Sequence, residues 1–580
     1  MSDQPSERPW PAVSLEQAHA LLTAAGTPFE VETVEIDGRP VKAWRNAPPT
    51  LAHVFLLSGM HAARDFLIYE DERATYGDFR KAALTLAARL REDGVEPGDR
   101  VAVAMRNLPE WPVAFFAVVL LGAVAVPLNA WWTGPELEYG LADSGACALI
   151  CDGERWDRIL PHCDACPDLK TVYVSRAEGE LGSARALEDV IGPVNAWKDL
   201  PDAAPIQPQV TPETPVALFY TSGTTGRPKG ALGTHRNCTH SFMAAMFSVA
   251  RAYVRRGEAP PQPDPTAPQK GALVSIPFFH TTGFNAALIA MMMNGGKVAM
   301  QRKFEPDEAF AIIERERLTS AGGVPAIAIA LTEHPARAKY DLSSLESVSY
   351  GGAPAPQALV RRLHEVFPQA LPGTGWGMTE TSATHTHHQG EDYLNRPNSC
   401  GPAMPVCEVK VIGPDGETLP TGEVGELCAY GPNIVKGYWN KPEETAKTFV
   451  DGWVRTGDLA RIDEEGFVFI VDRAKDIIIR GGENIASAEV ENALFDHPDV
   501  VDASVVARPH PLFGEEPVAL VALRDGARTD EADLRAWLRQ RLAAFKVPAE
   551  IRFHDGPLPR NANGKIVKPD IRRLFEETRS

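Results

Sequence analysis

Tyr220-Thr221-Ser222-Gly223-Thr224-Thr225-Gly226-Arg227-Pro228-Lys229-Gly230 puts small hydroxyl residues, two early glycines and a lysine into one short loop. The apolar run before it, residues 216–220, reads as a buried strand, so the loop leaves a sheet with free backbone N–H groups that can face anionic oxygens. Gly223 and Gly226 permit close approach of the backbone, and Lys229 adds a point charge. These features describe a polyphosphate cradle. The Walker A loop, G-x-x-x-x-G-K-[ST], does not fit, because Pro228 stands where its glycine precedes the lysine and Gly230 where its hydroxyl follows. A surface linker of Ser, Thr and Gly explains three or four such residues, but not this ordered string running into Pro-Lys-Gly.

The surroundings narrow the reading. A chain of 580 residues exceeds the size of one growing core, so at least two domains are expected. Its net charge of −19 argues against a nucleic-acid surface and leaves polyanionic ligands to local basic loops. The first nine residues lack a basic segment followed by an apolar one, so no secretory signal is read and a cytoplasmic location is expected. Eight cysteines at irregular spacing suit reduced thiols, and the isolated pair Cys163/Cys166 is a weak metal or redox signal.

In chain order, Leu15, Ala18, Leu21 and Leu22 mark a helix over residues 14–25, stopped by Gly26, and a second helix is expected over 79–93. Residues 97–104 read as a turn entering a strand. The apolar run 112–128 matches the lower limit of about 17 residues for crossing a bilayer. Gly122 and Pro127 break it and no positive cluster flanks it, so it reads as a buried helix followed by a strand over 123–127, with no transmembrane segment. Further strands at 148–151 and 171–175 continue an α/β alternation with a parallel sheet. Residues 191–214 form a proline-rich connector, and residues 255–270 an exposed, extended excursion. A strand at 272–276 ends in Pro277-Phe278-Phe279-His280, a step that lines clefts in α/β folds.

Taken with four later segments, the loop resembles the phosphate loop of the adenylate-forming superfamily: acyl-CoA synthetases, peptide-synthetase adenylation domains and firefly-type luciferases. Those segments are Ser349-Tyr350-Gly351-Gly352-Ala353-Pro354, Gly375-Trp376-Gly377-Met378-Thr379-Glu380, Val454-Arg455-Thr456-Gly457-Asp458 and Pro557-Leu558-Pro559-Arg560-Asn561-Ala562-Asn563-Gly564-Lys565. The resemblance runs from about Tyr76 to Lys568. It implies that Thr221, Ser222, Gly223, Thr224, Thr225, Gly226 and Lys229 hold ATP phosphates, and that Gly351, Gly352, Ala353 and Pro354 meet adenine. Gly375, Trp376, Gly377 and Met378 continue the nucleotide site, with Trp376 in the usual tyrosine position offering its ring to adenine. Asp458 and Arg473 are implied at the ribose.

Lys565, Thr379 and Glu380 are the implied catalytic residues, and Glu380 with Thr224 the Mg²⁺ contacts. Thr-Glu alone would read as a helix start. Phe279, His280, Phe284, Gly322 and Gly323 are assigned to the acid pocket, the two glycines supplying depth, and Gly481-Gly482 to the coenzyme A side. The implied architecture is a large α/β region, residues 1–474, and a small mobile α+β lid, residues 475–580, hinged at Lys475. Within the lid, helices are expected at 488–495 and 530–542 and strands at 500–507 and 518–523.

The implied reaction joins a carboxylic acid to coenzyme A through an acyl-adenylate, using ATP and Mg²⁺. A medium-to-long fatty acid is expected, with an aryl acid as the alternative and a non-enzymatic nucleotide-binding protein as the rival from another class. No carrier domain is expected after Lys565, and a homodimer is one option for assembly.

Overall fold

The apolar run divides where its glycine and proline predict. All eleven residues of the helix Glu110–Leu120 are buried, and the strand Val124–Pro127 follows within four residues. This helix is apolar on every side because it lies between layers, where each buried aromatic or aliphatic side chain contributes about 1.5–3 kcal/mol. Phe115 and Phe116 join Phe55, Phe66 and Phe79 in one aromatic core beneath the first two sheets. The computed structural model describes residues 10–204, 206–221, 227–262, 264, 266–353, 355–561 and 565–576. Among them no helix is long and apolar enough to cross a membrane.

Two large sheets are mostly parallel. The first has seven strands, with Arg100–Ala104 at its centre between Val124–Pro127 and Ala148–Asp152, and it ends on the antiparallel pair Pro215–Tyr220 and Gly230–Thr234. The second has eight strands and includes the parallel run Gly271–Val274, Ser320–Gly323, Ser347–Gly351 and Leu371–Met378. A six-stranded antiparallel sheet follows, carrying Trp453–Ile462 and Phe467–Arg473. The last sheet begins at Ile478, three residues after Lys475, and packs with the helices Ser487–Phe495, Glu531–Arg539 and Lys568–Glu576 into a small C-terminal domain.

Element bounds depart from expectation where side chains cap or pair. The first helix is Leu15–Thr23, and Leu21 is exposed on it rather than part of its apolar face. The helix expected at 79–93 starts three residues earlier, at Tyr76, because Thr75 and Asp78 form a reciprocal cap. Arg255 does not open an exposed excursion. It ends the helix His235–Arg255 fully buried, with its guanidinium donating to Asp392 at 2.8 Å. In the C-terminal domain the hairpin strands are longer than expected, Val500–His510 and Gly514–Leu523. All eight cysteines are free, Cys163 and Cys166 included.

Candidate active site

The loop that opens the reading is a hairpin connection. Tyr220 pairs with Gly230, and the Thr221 N–H donates to the Lys229 carbonyl at 2.9 Å, so the cradle is pinched shut at its base. The helix Gly134–Ser144 clamps both ends: Tyr220 donates to Asp143 at 2.8 Å and Tyr139 donates to the Pro228 carbonyl at 2.8 Å. Lys441 pairs with the other Asp143 oxygen at 3.0 Å. Ser222, Gly223, Thr224, Thr225 and Gly226 lie outside the described residues, as does Pro354.

Gly351 and Gly375 are register partners on adjacent parallel strands, which brings the expected adenine edge beside Gly375-Trp376-Gly377. These glycines are demanded by the sheet. A Cβ at Gly377 would sit 1.5 Å from the Ala383 carbonyl oxygen, and one at Gly375 would sit 2.6 Å from that of Thr386. Trp376 donates its indole N–H to Asp458 at 2.8 Å and packs against the apolar cluster of Val411 and Leu427, with its ring edge-on to His385. Asp458 and Arg473 are themselves register partners across an antiparallel pair and form an ion pair at 3.0 Å. The expected ribose residues and the aromatic are therefore one hydrogen-bonded unit.

Thr379 and Glu380 sit on a short turn that leaves the strand at Met378. Four groups hold that turn. Asn433 donates to the Thr381 carbonyl at 2.8 Å, Val435 donates its N–H to the Glu380 carbonyl at 3.0 Å, and Ser241 and Asn285 both donate to the Ser382 carbonyl. Glu380 is buried, and its Oε1 accepts the Tyr438 O–H at 2.5 Å. Burial and the Glu380 charge push the Tyr438 phenol well up, so it stays a donor. Lys229 places its ammonium 4.2 Å over the Tyr438 ring. The sequence carried Tyr438 in plain view, but nothing in its spacing points to Glu380, 58 residues away.

The C-terminal domain closes over this cleft. Lys565 donates its N–H to Asn561 at 3.0 Å, and its ammonium is pushed down by burial and by Arg473 while Asp458 and Glu380 hold it up. His280 answers from the other side, driven down to about 3 by burial and the Lys565 charge, so its imidazole is neutral. Contacts seat the domain: the Ser487 hydroxyl donates to Asp472 at 2.8 Å, and Arg524 pairs with Glu333 at 2.7 Å. Gly481 and Gly482 form the tight turn between Ile478–Arg480 and Glu483–Ile485. The Lys475 ammonium is lowered by partial burial and by Arg473.

Residues expected at the acid pocket are tightly packed. Phe284 is completely buried at 4.1 Å from Phe115 within the aromatic core, so it supports the wall from behind. A Cβ at Gly322 would lie 1.8 Å from the Ser349 carbonyl oxygen, which makes that glycine a strand-packing requirement, and one at Gly323 would lie 2.8 Å from Ile327 and 3.1 Å from Ile276. Phe279 is buried, while His280 keeps partial exposure beside the wide helical turn Thr282–Ile289.

Comparison with known proteins agrees with this geometry. The AMP-binding enzyme family model matches residues 58–439, and its C-terminal domain model matches residues 489–565. A feruloyl-CoA synthase of Amycolatopsis is 37% identical over 504 residues, covering 86% of this chain and 94% of that protein. A long-chain-fatty-acid–CoA ligase of Bacillus subtilis is 34% identical, covering 87% and 90%. Among solved structures, ATP-bound MatB from Rhodopseudomonas palustris superposes with a TM-score of 0.78 at 29% identity over 91% of this chain and all of that one. The o-succinylbenzoate CoA synthetase of Bacillus subtilis with its acyl-adenylate gives 0.73 at 28% identity, over 90% of this chain and 98% of that one. With both models matched in order and the motif residues gathered in one cleft, the chain belongs to the AMP-binding enzyme family of adenylate-forming enzymes.

Proposed function

We propose that this enzyme is an ATP-dependent carboxylic acid–CoA ligase whose acid is compact and aromatic, of the aryl or arylpropenoic kind. The feruloyl-CoA synthase relative supports this reading, as does the close packing of Ile276 and Ile327 on Gly323, where a Cβ would meet them at 3.1 and 2.8 Å. A fatty acid is the second reading, favoured by the Bacillus subtilis ligase.

In the first half-reaction the acid oxygen attacks the α-phosphorus and pyrophosphate leaves. Lys229 faces the departing phosphates, Asp458 and Arg473 hold the ribose, and Lys565 presents its charge where negative charge grows at the α-phosphate. Thr379 adds a hydroxyl to the same oxygens. Glu380 is the described carboxylate placed to contact Mg²⁺, and among the described residues no cluster of three metal ligands exists. Glu380 would hold the ion against the ATP phosphates, where it would neutralise phosphate charge. His280, neutral and beside Lys565, admits the acid carboxylate without competing for its charge. In the second half-reaction the domain pivots at Lys475, exchanges Lys565 for the Gly481-Gly482 turn, and the coenzyme A thiol gives up its proton and attacks the carbonyl carbon, breaking the acyl–phosphate bond so that AMP leaves.

ATP–pyrophosphate exchange followed by thioester formation, run across benzoates, cinnamates and C6–C16 fatty acids, tests this. The expected result is the highest kcat/KM for an aromatic acid. A profile rising through C10–C16 would return the assignment to fatty acids, and nucleotide binding without exchange would remove the ligase reading.

A further inference from the structure

Tyr438 lies on a segment sewn to both halves of the nucleotide cleft. On one side Trp439 donates its N–H to the Gly230 carbonyl at 2.8 Å, Leu232 donates to Gly437 at 2.9 Å and Lys436 donates to Leu232 at 3.0 Å, all on the strand that leaves the phosphate loop. On the other side Val435 donates to Glu380 at 3.0 Å. The Tyr438 side chain repeats the link: its hydroxyl meets the Glu380 carboxylate and its ring face meets the Lys229 ammonium. Phe449 stands edge-on to the ring at 5.5 Å, and the Thr445 hydroxyl accepts the Tyr438 N–H at 2.9 Å, so the phenol is fixed from behind. A buried carboxylate with one oxygen held by a phenol keeps the other free and oriented, and a lysine seated on an aromatic face keeps its charge without an ion pair.

We propose that Tyr438 is a positioning residue that sets the two opposite charges flanking the ATP polyphosphate, orienting Glu380 toward the divalent cation and Lys229 toward the leaving pyrophosphate. The two functions sit on different atoms and separate by substitution. Tyr438→Phe keeps the ring under Lys229 and loses the O–H. Tyr438→Leu loses both. The proposal rests on Glu380 as the cation contact, so Glu380→Gln is measured alongside.

The experiment is Mn²⁺ binding to the full-length enzyme with a non-hydrolysable ATP analogue, read by electron paramagnetic resonance, together with the Mg²⁺ and pyrophosphate dependence of exchange. Tyr438→Phe is expected to raise the Mn²⁺ dissociation constant and the half-saturating Mg²⁺ about tenfold, with pyrophosphate and acid KM unchanged. Tyr438→Leu is expected to add a rise of about tenfold in pyrophosphate KM. If Glu380→Gln shifts Mn²⁺ binding and Tyr438→Phe does not, Tyr438 has no orienting role. If neither shifts it, the cation contact is elsewhere and the proposal falls with its premise. Equal pyrophosphate KM in the Phe and Leu variants would overturn the seat for Lys229.

Discussion

The Trp376 indole N–H donates to Asp458 Oδ2 at 2.8 Å, while Arg473 takes Oδ1 of the same carboxylate at 3.0 Å. Each carboxylate oxygen is thereby assigned a direction, and in the proposed mechanism that carboxylate accepts the ribose. A hydrogen bond to a charged group is worth about 1.5–3 kcal/mol. Trp376→Phe, which keeps a ring and loses the N–H, should raise the ATP KM about tenfold or more. Preference for ATP over 2′-deoxy-ATP should shrink in step, because the variant loosens the ribose acceptor. Unchanged discrimination would confine the ring to packing against Val411 and Leu427.

Lys565 approaches the cleft from the C-terminal domain, and in the proposed mechanism its charge serves one half-reaction. Lys565→Ala should slow adenylate formation roughly 10²–10³-fold, the loss of a preorganised charge at the transition state. Given preformed acyl-adenylate and coenzyme A, the variant should form thioester at near the wild-type rate. Equal damage to both half-reactions would end the pivoting mechanism.

The same lysine predicts a pH limb. Burial and Arg473 lower its pKa from the ordinary lysine value, so its positive charge is lost as pH rises through that lowered value. Exchange activity should therefore fall on the alkaline side earlier than an exposed lysine would allow. Lys565→Arg, permanently charged, should lose that limb, and the two pH profiles measured side by side decide it.

Lys475 stands between Arg473 and the first strand of the last sheet at Ile478. Proline there would fix φ near −65° and restrict the preceding residue. Lys475→Pro should retain pyrophosphate exchange and stall at acyl-adenylate, visible as a burst of one adenylate per enzyme without thioester.

Arg255 and Asp392 are both essentially buried and join the helix His235–Arg255 to the short helix Glu391–Asn395. Removing one partner strands a charge, so Asp392→Ala should cost about 3–5 kcal/mol in denaturant unfolding. Replacing both residues with apolar side chains of similar volume should recover much of the loss.

Local chemistry was legible from the chain alone. The order of small, glycine and basic residues in 220–230 pointed to a phosphate loop, and Gly122 and Pro127 split an apolar run into a helix and a strand without reference to anything distant. Alternating helix and strand signals gave the α/β class, since period and turn residues act within a few positions. Side-chain pairings across the fold were not legible. Tyr438 reaches Glu380, Trp376 reaches Asp458 and Arg255 reaches Asp392 only because separate strands and helices pack, at separations of 58, 82 and 137 residues. Nor was the packing at Gly322 legible: glycine in the sequence signals missing volume, but whether that space is open or filled, as by the Ser349 carbonyl here, is settled by the strand beside it. Residue type therefore pointed to the chemistry this protein carries, and tertiary packing decided which atoms face each other.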